Sequence, residues 1–140
     1  MADQQLSLIT LSIHDIARSR RFYGEGFGWT PVYESEEVLF YQMKGMVLGL
    51  WLAPEMVADL GRPDGESNGF ALAHNVASRE EVDVLIARLV EHGGTLMREA
   101  GAPAYGGWRG YVADPDSHAW EIAWNPAWTL DPERGVTFSA

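Results

Sequence analysis

The sequence contains no cysteine among its 140 residues. A disulfide framework, a thiol nucleophile and a cysteine zinc site are therefore excluded. Nor does any apolar run approach the roughly 20 residues that cross a bilayer, so no membrane partner is expected. The start, Met1-Ala2-Asp3-Gln4-Gln5, lacks a basic region followed by an apolar core and does not read as a secretory signal. A cytoplasmic location is expected. Basic residues are few: 10 Lys and Arg face 20 Asp and Glu, for a net charge of -10. Such a surface repels phosphate backbones, which argues against nucleic acid as a partner. The acidity suits a cationic ligand, or serves solubility alone.

What is present is ordinary globular material. Hydrophobic residues make up 46% and charged ones 21%, enough to build a core in one domain spanning 1–140. That domain reads as two copies of one module. In the first, Leu8 to Ile13 alternates after its opening residue, Asp15 stands as a helix cap, and a helix runs through Phe22-Tyr23. In the second, Phe70 to Val76 reads as a strand. Ser78-Arg79-Glu80-Glu81 is a capping box, Val82, Leu85, Ile86 and Leu89 recur at helical spacing, and Gly93-Gly94 ends the helix.

The caps Asp15 and Ser78 lie 63 residues apart. After the first helix, Val38–Met43, the Lys44-Gly45 turn and Met46–Leu52 predict a hairpin. After the second come Thr95–Arg98, a glycine-rich loop, Trp108–Ala113, the turn Asp114-Pro115-Asp116-Ser117, and His118–Trp124. The predicted divisions are module 1 (5–53), a Pro-, Gly- and acid-rich linker (54–68), module 2 (69–126) and a polar tail (127–140) with one short strand near Val136. The fold class is α+β, with two tandem βαβββ modules forming a curved mixed sheet around a cavity.

This pattern resembles the vicinal oxygen chelate superfamily, the glyoxalase/bleomycin-resistance/dioxygenase fold. The resemblance is carried by Ser12-Ile13-His14-Asp15-Ile16-Ala17-Arg18-Ser19 leading into Phe22-Tyr23, and by Asp114-Pro115-Asp116-Ser117-His118-Ala119-Trp120-Glu121. The stretch from Ala73-His74-Asn75-Val76 through Glu81-Val82, with Ala123-Trp124-Asn125-Pro126, is similar to a bacterial glyoxalase-like subgroup. One fold hosts many functions, so the reaction must be argued from the site.

Metal-dependent members of the superfamily use four ligands, two per module. Carried over by the resemblance, these positions fall on Leu8, Gly49, Ala71 and Glu121. Only Glu121 has a ligand side chain, whereas divalent metal sites generally need three or four protein donors. No metal of the family type and no other cofactor is expected. Among the histidines, His74 falls on the helix-facing side of its strand, His14 in the turn before the cap, His118 at the last hairpin and His92 at a helix end.

By strand alternation, Ile9, Leu11 and Ile13, and likewise Phe70, Leu72, His74 and Val76, should face the helices. Ala71, Ala73 and Asn75 should face the cavity, with Glu121. The candidate ligand-binding residues are Trp51, Asn75, Tyr105, Trp108, Arg109, Tyr111 and Glu121. Aromatic faces attract cations and flat rings, and Arg109 is a candidate internal partner for Glu121. The plain alternative for Trp51, Tyr105 and Trp108 is packing.

Three functions follow as expectations. One is a metal-free binder that sequesters an aromatic or cationic compound. Another is a lyase, isomerase or dioxygenase, with Glu121 as general base or metal ligand. The third is an interaction role with a vestigial cavity. The resemblance implies a homodimer, with modules paired within or between chains.

Overall fold

Asp15 and Ser78 both cap helices as the sequence predicts. In the computed structural model, which describes residues 1–65 and 68–138, Asp15 Oδ1 accepts from the Arg18 backbone N–H at 2.9 Å. Ser78 Oγ accepts from the Glu81 N–H at 3.2 Å. Glu81 reaches back to the N–H of Ala77, at 2.8 Å, one residue before the position a standard capping box uses.

The first module runs through β1 (Leu8–Ile13), α1 (Ile16–Arg20), a π-helical turn (Arg21–Gly26), β2 (Tyr33–Glu34), β3 (Val38–Gln42) and β4 (Val47–Leu52). Helix α2 (Ala53–Leu60) follows. The second module holds β5 (Leu72–Asn75), α3 (Arg79–Glu91), β6 (Thr95–Gly101), β7 (Trp108–Ala113) and β8 (Ala119–Trp124), and the chain ends in the hairpin β9 (Thr129–Asp131) and β10 (Gly135–Thr137). The two four-stranded sheets have matching orders, β1-β4-β3-β2 and β5-β8-β7-β6. In each, the first strand runs parallel to the last and the other pairs are antiparallel. The α+β class and the paired modules therefore stand, as two separate sheets.

Some boundaries are corrected. The segment read as a linker carries α2, whose Pro54 sits in the first turn, where a missing N–H costs nothing. The strand expected from Phe70 to Val76 shortens to Leu72–Asn75, and Phe70 is half exposed. The tail holds a hairpin where one short strand was expected.

The helix-facing sides of both sheets share one core. Leu11, Ile13, Leu39, Tyr41, Leu48 and Leu50 from the first sheet join Val112, Trp120 and Ile122 from the second, with Phe22, Tyr23, Val82, Ile86 and Leu89 from the helices. Two glycines allow this closeness. A Cβ on Gly26 would stand 3.0 Å from Leu89 Cδ2, and one on Gly94 would stand 2.7 Å from Val112 Cγ1 and 2.8 Å from Phe22 Cε2.

Buried polar contacts tie the modules together. Trp120 Nε1 donates to Tyr23 Oη at 3.0 Å, and His118 Nε2 donates to the Ser12 carbonyl at 2.7 Å. The Asp116 carboxylate, 1% exposed, accepts from the His14 backbone N–H (3.0 Å) and from Arg18 Nη2 (2.7 Å), and pairs with His14 Nδ1 at 2.9 Å. The opposite faces of the sheets are more open: Leu8 and Ala73 are exposed, and Thr10, Ser12, Trp51, Tyr111 and Glu121 partly so.

Candidate functional site

The outer face of the second sheet gathers most of the chemistry. The register pairs Tyr111 with Glu121, Arg109 with Ala123, and Ala73 with Glu121. These side chains share one face because alternate residues of a strand point the same way. The Tyr111 hydroxyl donates to Glu121 Oε2 at 2.8 Å. That bond, more than burial, raises the Tyr111 pKa above its usual value, since losing the phenolic proton would place two anions side by side. Among the described residues the other oxygen of Glu121 accepts no hydrogen bond.

Glu121 opens onto a pocket of 300 Å³ whose walls include Tyr105, Gly106, Gly107 and Trp128. Gly107 has φ +84°, and a Cβ there would collide with the Trp124 carbonyl, so the loop lies against β8 only because it is glycine. Arg109 is buried on the same face, but its guanidinium reaches the Gly101 carbonyl at 3.4 Å instead of pairing with Glu121.

Two of the seven predicted ligand residues fall elsewhere. Trp108 aligns with Gly110 and Val112 on the helix-facing side. Its indole N–H donates to Asp83 Oδ1 at 3.0 Å, and the Arg79 guanidinium lies 3.5 Å over its ring, so it packs against α3. Trp51 stands on the outer face of the first sheet, beside Ser12 and Val38, and does not line the Glu121 pocket. Asn75 shares Glu121's strand face but lines a neighbouring cavity. Trp128 is a wall the sequence reading missed. Its signal was Asn125-Pro126 after β8, a turn closed by the Trp128 N–H on the Asn125 carbonyl at 3.0 Å, which folds the tail back over the sheet.

This architecture matches known proteins. The model of the Glyoxalase/Bleomycin resistance protein/Dioxygenase superfamily matches residues 5–122. The chain belongs to that superfamily. It is similar to a glyoxalase-related enzyme from Fulvimarina pelagi, at 52% identity over 98% of this chain and 99% of that one, with a TM-score of 0.96. The fold alone is shared with a lactoylglutathione lyase from Agrobacterium tumefaciens, at 17% identity over 93% of this chain and 100% of that one, TM-score 0.71. It is shared likewise with a glyoxalase/bleomycin resistance protein/dioxygenase family enzyme from Burkholderia phytofirmans, at 21% identity over 86% and 98%, TM-score 0.74.

The superfamily's metal positions can be tested against this donor set. Leu8 Cδ1 would lie 3.4 Å from a Cβ on Gly49, so the two are neighbours on the first sheet, and neither has a lone pair to offer. A Cβ on Gly49 would also meet the Phe40 ring at 3.1 Å, leaving little room for a longer ligand side chain. Ala71 precedes β5 and donates nothing. These residues do not fit a four-ligand metal. Among the described residues, no group of three His, Asp or Glu side chains is placed to hold one elsewhere. His118 and His14 serve the seam between modules, and His92 Nδ1 donates to the Arg88 carbonyl at 2.7 Å.

Proposed function

We propose that this protein binds a small aromatic or cationic compound at Glu121 without the superfamily's metal. The observation that carries the reading is the Glu121 carboxylate. One oxygen is held by the Tyr111 hydroxyl, the other is free of partners among the described residues, and the residue lines a pocket flanked by Tyr105 and Trp128. A fixed carboxylate among aromatic rings suits a cation with a flat or apolar body. Calorimetric titration against a cationic glycopeptide and a panel of cationic planar aromatics tests this. Binding that weakens at least about tenfold in Glu121→Gln is expected, the scale of a lost charge-assisted bond. An absence of heat up to millimolar ligand, or equal binding by the variant, overturns it.

A second reading rests on the 52% identity to a protein described as a glyoxalase-related enzyme. Glu121 would then act as general base, abstracting a proton next to a carbonyl, with Tyr111 holding the carboxylate in place. Deuterium incorporation from solvent into a panel of 2-oxoaldehydes and their thiol adducts measures this, and Glu121→Gln should abolish it.

We also propose that two copies associate as a homodimer. The exposure of Leu6 and Leu8 on and just before β1, an edge strand of the first sheet, supports it, since an open strand edge carrying apolar residues favours a partner. Light scattering after size exclusion should give twice the 15.5 kDa chain mass, and a monomer would exclude it.

A further inference from the structure

Off the open edge of β5 lies a cavity of 730 Å³, larger than the Glu121 pocket and divided from it by Trp128, which lines both. Its size falls within the roughly 300–1,000 Å³ typical of small-molecule sites. His74 lies in its wall, with its ring edge-on to Phe27 at 5.5 Å and to Trp29 at 5.8 Å. Among the described residues, neither the His74 ring nor the Asn75 amide makes a hydrogen bond. Their polar atoms are therefore open at the cavity wall, and a molecule bound there can bond them without displacing a protein partner.

The donors that face the cavity set the ligand's chemistry. Burial, helped by the charge of Lys44, holds the His74 pKa below its usual value. The ring is therefore neutral at neutral pH and offers one donor and one acceptor. Lys44 is the cation among the lining residues, and among the described residues its ammonium makes one hydrogen bond, to the Asp131 carbonyl at 3.4 Å, which leaves donors for a ligand. Asp131 is the lining acid, and its Oδ1 accepts from the N–H groups of both Glu133 and Arg134, each at 2.8 Å. The apolar part of the wall includes Trp29, Trp128, Leu130 and Val136, and Thr30 and Gln42 add polar side chains.

We propose that this cavity is a second binding site, for a planar aromatic carboxylate: its ring lies against Trp29 and Trp128, its carboxylate on Lys44 and Asn75, and His74 bonds a ring substituent or the carboxylate. The site has the opposite charge preference to the Glu121 pocket and does not depend on it.

The test uses 2-naphthoate and its neutral analogue 2-naphthamide, followed by tryptophan fluorescence and by NMR of the His74 ring protons. Naphthoate should bind below millimolar concentration, shift the His74 resonances and bind at least about tenfold more tightly than the amide. Lys44→Met, a change at an exposed position, should remove that preference. His74→Phe, which keeps the ring packing, should weaken binding. Glu121→Gln should leave it unchanged. Failure to bind at millimolar naphthoate, no change with Lys44→Met, or loss with Glu121→Gln each overturns the proposal. Capture of a cation at Glu121 is read by the reverse pattern, so either site can fail while the other stands.

Discussion

Tyr23 of the first module donates its hydroxyl hydrogen to Asp114 Oδ2 of the second over 2.6 Å, and both residues are buried. Trp120 Nε1 donates to the same hydroxyl, so the phenol is donor and acceptor at once. Desolvation, reinforced by the Asp114 charge, drives the Tyr23 pKa well above its usual value. Tyr23→Phe removes one oxygen and strands two buried partners, the Trp120 N–H and one Asp114 oxygen. A loss of about 1–3 kcal/mol is expected for each stranded group, somewhat less in sum because they are coupled. Urea unfolding should show a lower midpoint at unchanged slope.

The pH dependence of stability should carry two histidine slopes of opposite sign. Hydrogen bonding to Asp116 raises the His14 pKa above 6.5, so its contribution is full below that pH and is lost as pH rises through the folded value. His74 is shifted the other way, chiefly by burial, so the folded state gives up stability as pH falls below 6.5. His14→Ala should remove the alkaline slope and His74→Phe the acid one. Chemical denaturation across pH 5 to 8, about the range over which histidine titrates, reads both. Slopes that persist in these variants would remove the assignment.

Tyr111 should report on Glu121 without any ligand. Its pKa is raised mainly by the hydrogen bond to that carboxylate. In Glu121→Gln the phenol should titrate closer to its ordinary value near 10, followed by near-UV absorbance. An unchanged titration would mean that the two groups do not meet in solution.

Trp108 gives the matching negative control. It packs between Arg79 and Asp83, so Trp108→Ala should lower the unfolding midpoint while leaving ligand affinity at Glu121 within about twofold, as expected for a substitution outside the site.

Gly94→Ala probes the closeness of the helices to the second sheet. The added methyl would meet Val112 Cγ1 at 2.7 Å and, at 2.8 Å each, the Leu89 carbonyl and Phe22 Cε2. Because one of these is backbone, side-chain adjustment alone cannot relieve the clash. The cost should be about 1–3 kcal/mol, as for overpacked cores, read from the same urea curves. Wild-type stability would show that the segment after α3 can shift.

The repeat was readable because caps and alternation act locally. Asp15, Ser78 and the faces of Leu11, Ile13 and Glu121 follow from the nearest residues alone. Trp108 borders a glycine-rich loop, which suggests a ligand wall, but alternation from Arg109 and Tyr111 puts it on the opposite face, where it packs against α3. The acid- and proline-rich composition of 54–68 concealed α2, since Pro54 at a helix start resembles a linker residue until the rest of the turn is seen. The cavity beside His74 was not legible, because β5, the Lys44 turn and the terminal hairpin approach only through tertiary packing. Trp128 stayed hidden for the same reason.

The Asp116 carboxylate has a consequence for how this chain can be divided. It belongs to the turn before β8, yet its partners are the backbone and ring of His14 and the guanidinium of Arg18, all at the start of the first helix. The modules repeat one another in outline but are not interchangeable parts. A fragment ending near α2 would begin its helix without the acceptor that orders that corner, and a fragment beginning near β5 would carry a buried acid with nothing to receive. Two such pieces should regain order only on being mixed, and a chimera that borrows either half from a relative would have to bring His14, Arg18 and Asp116 together from the same parent.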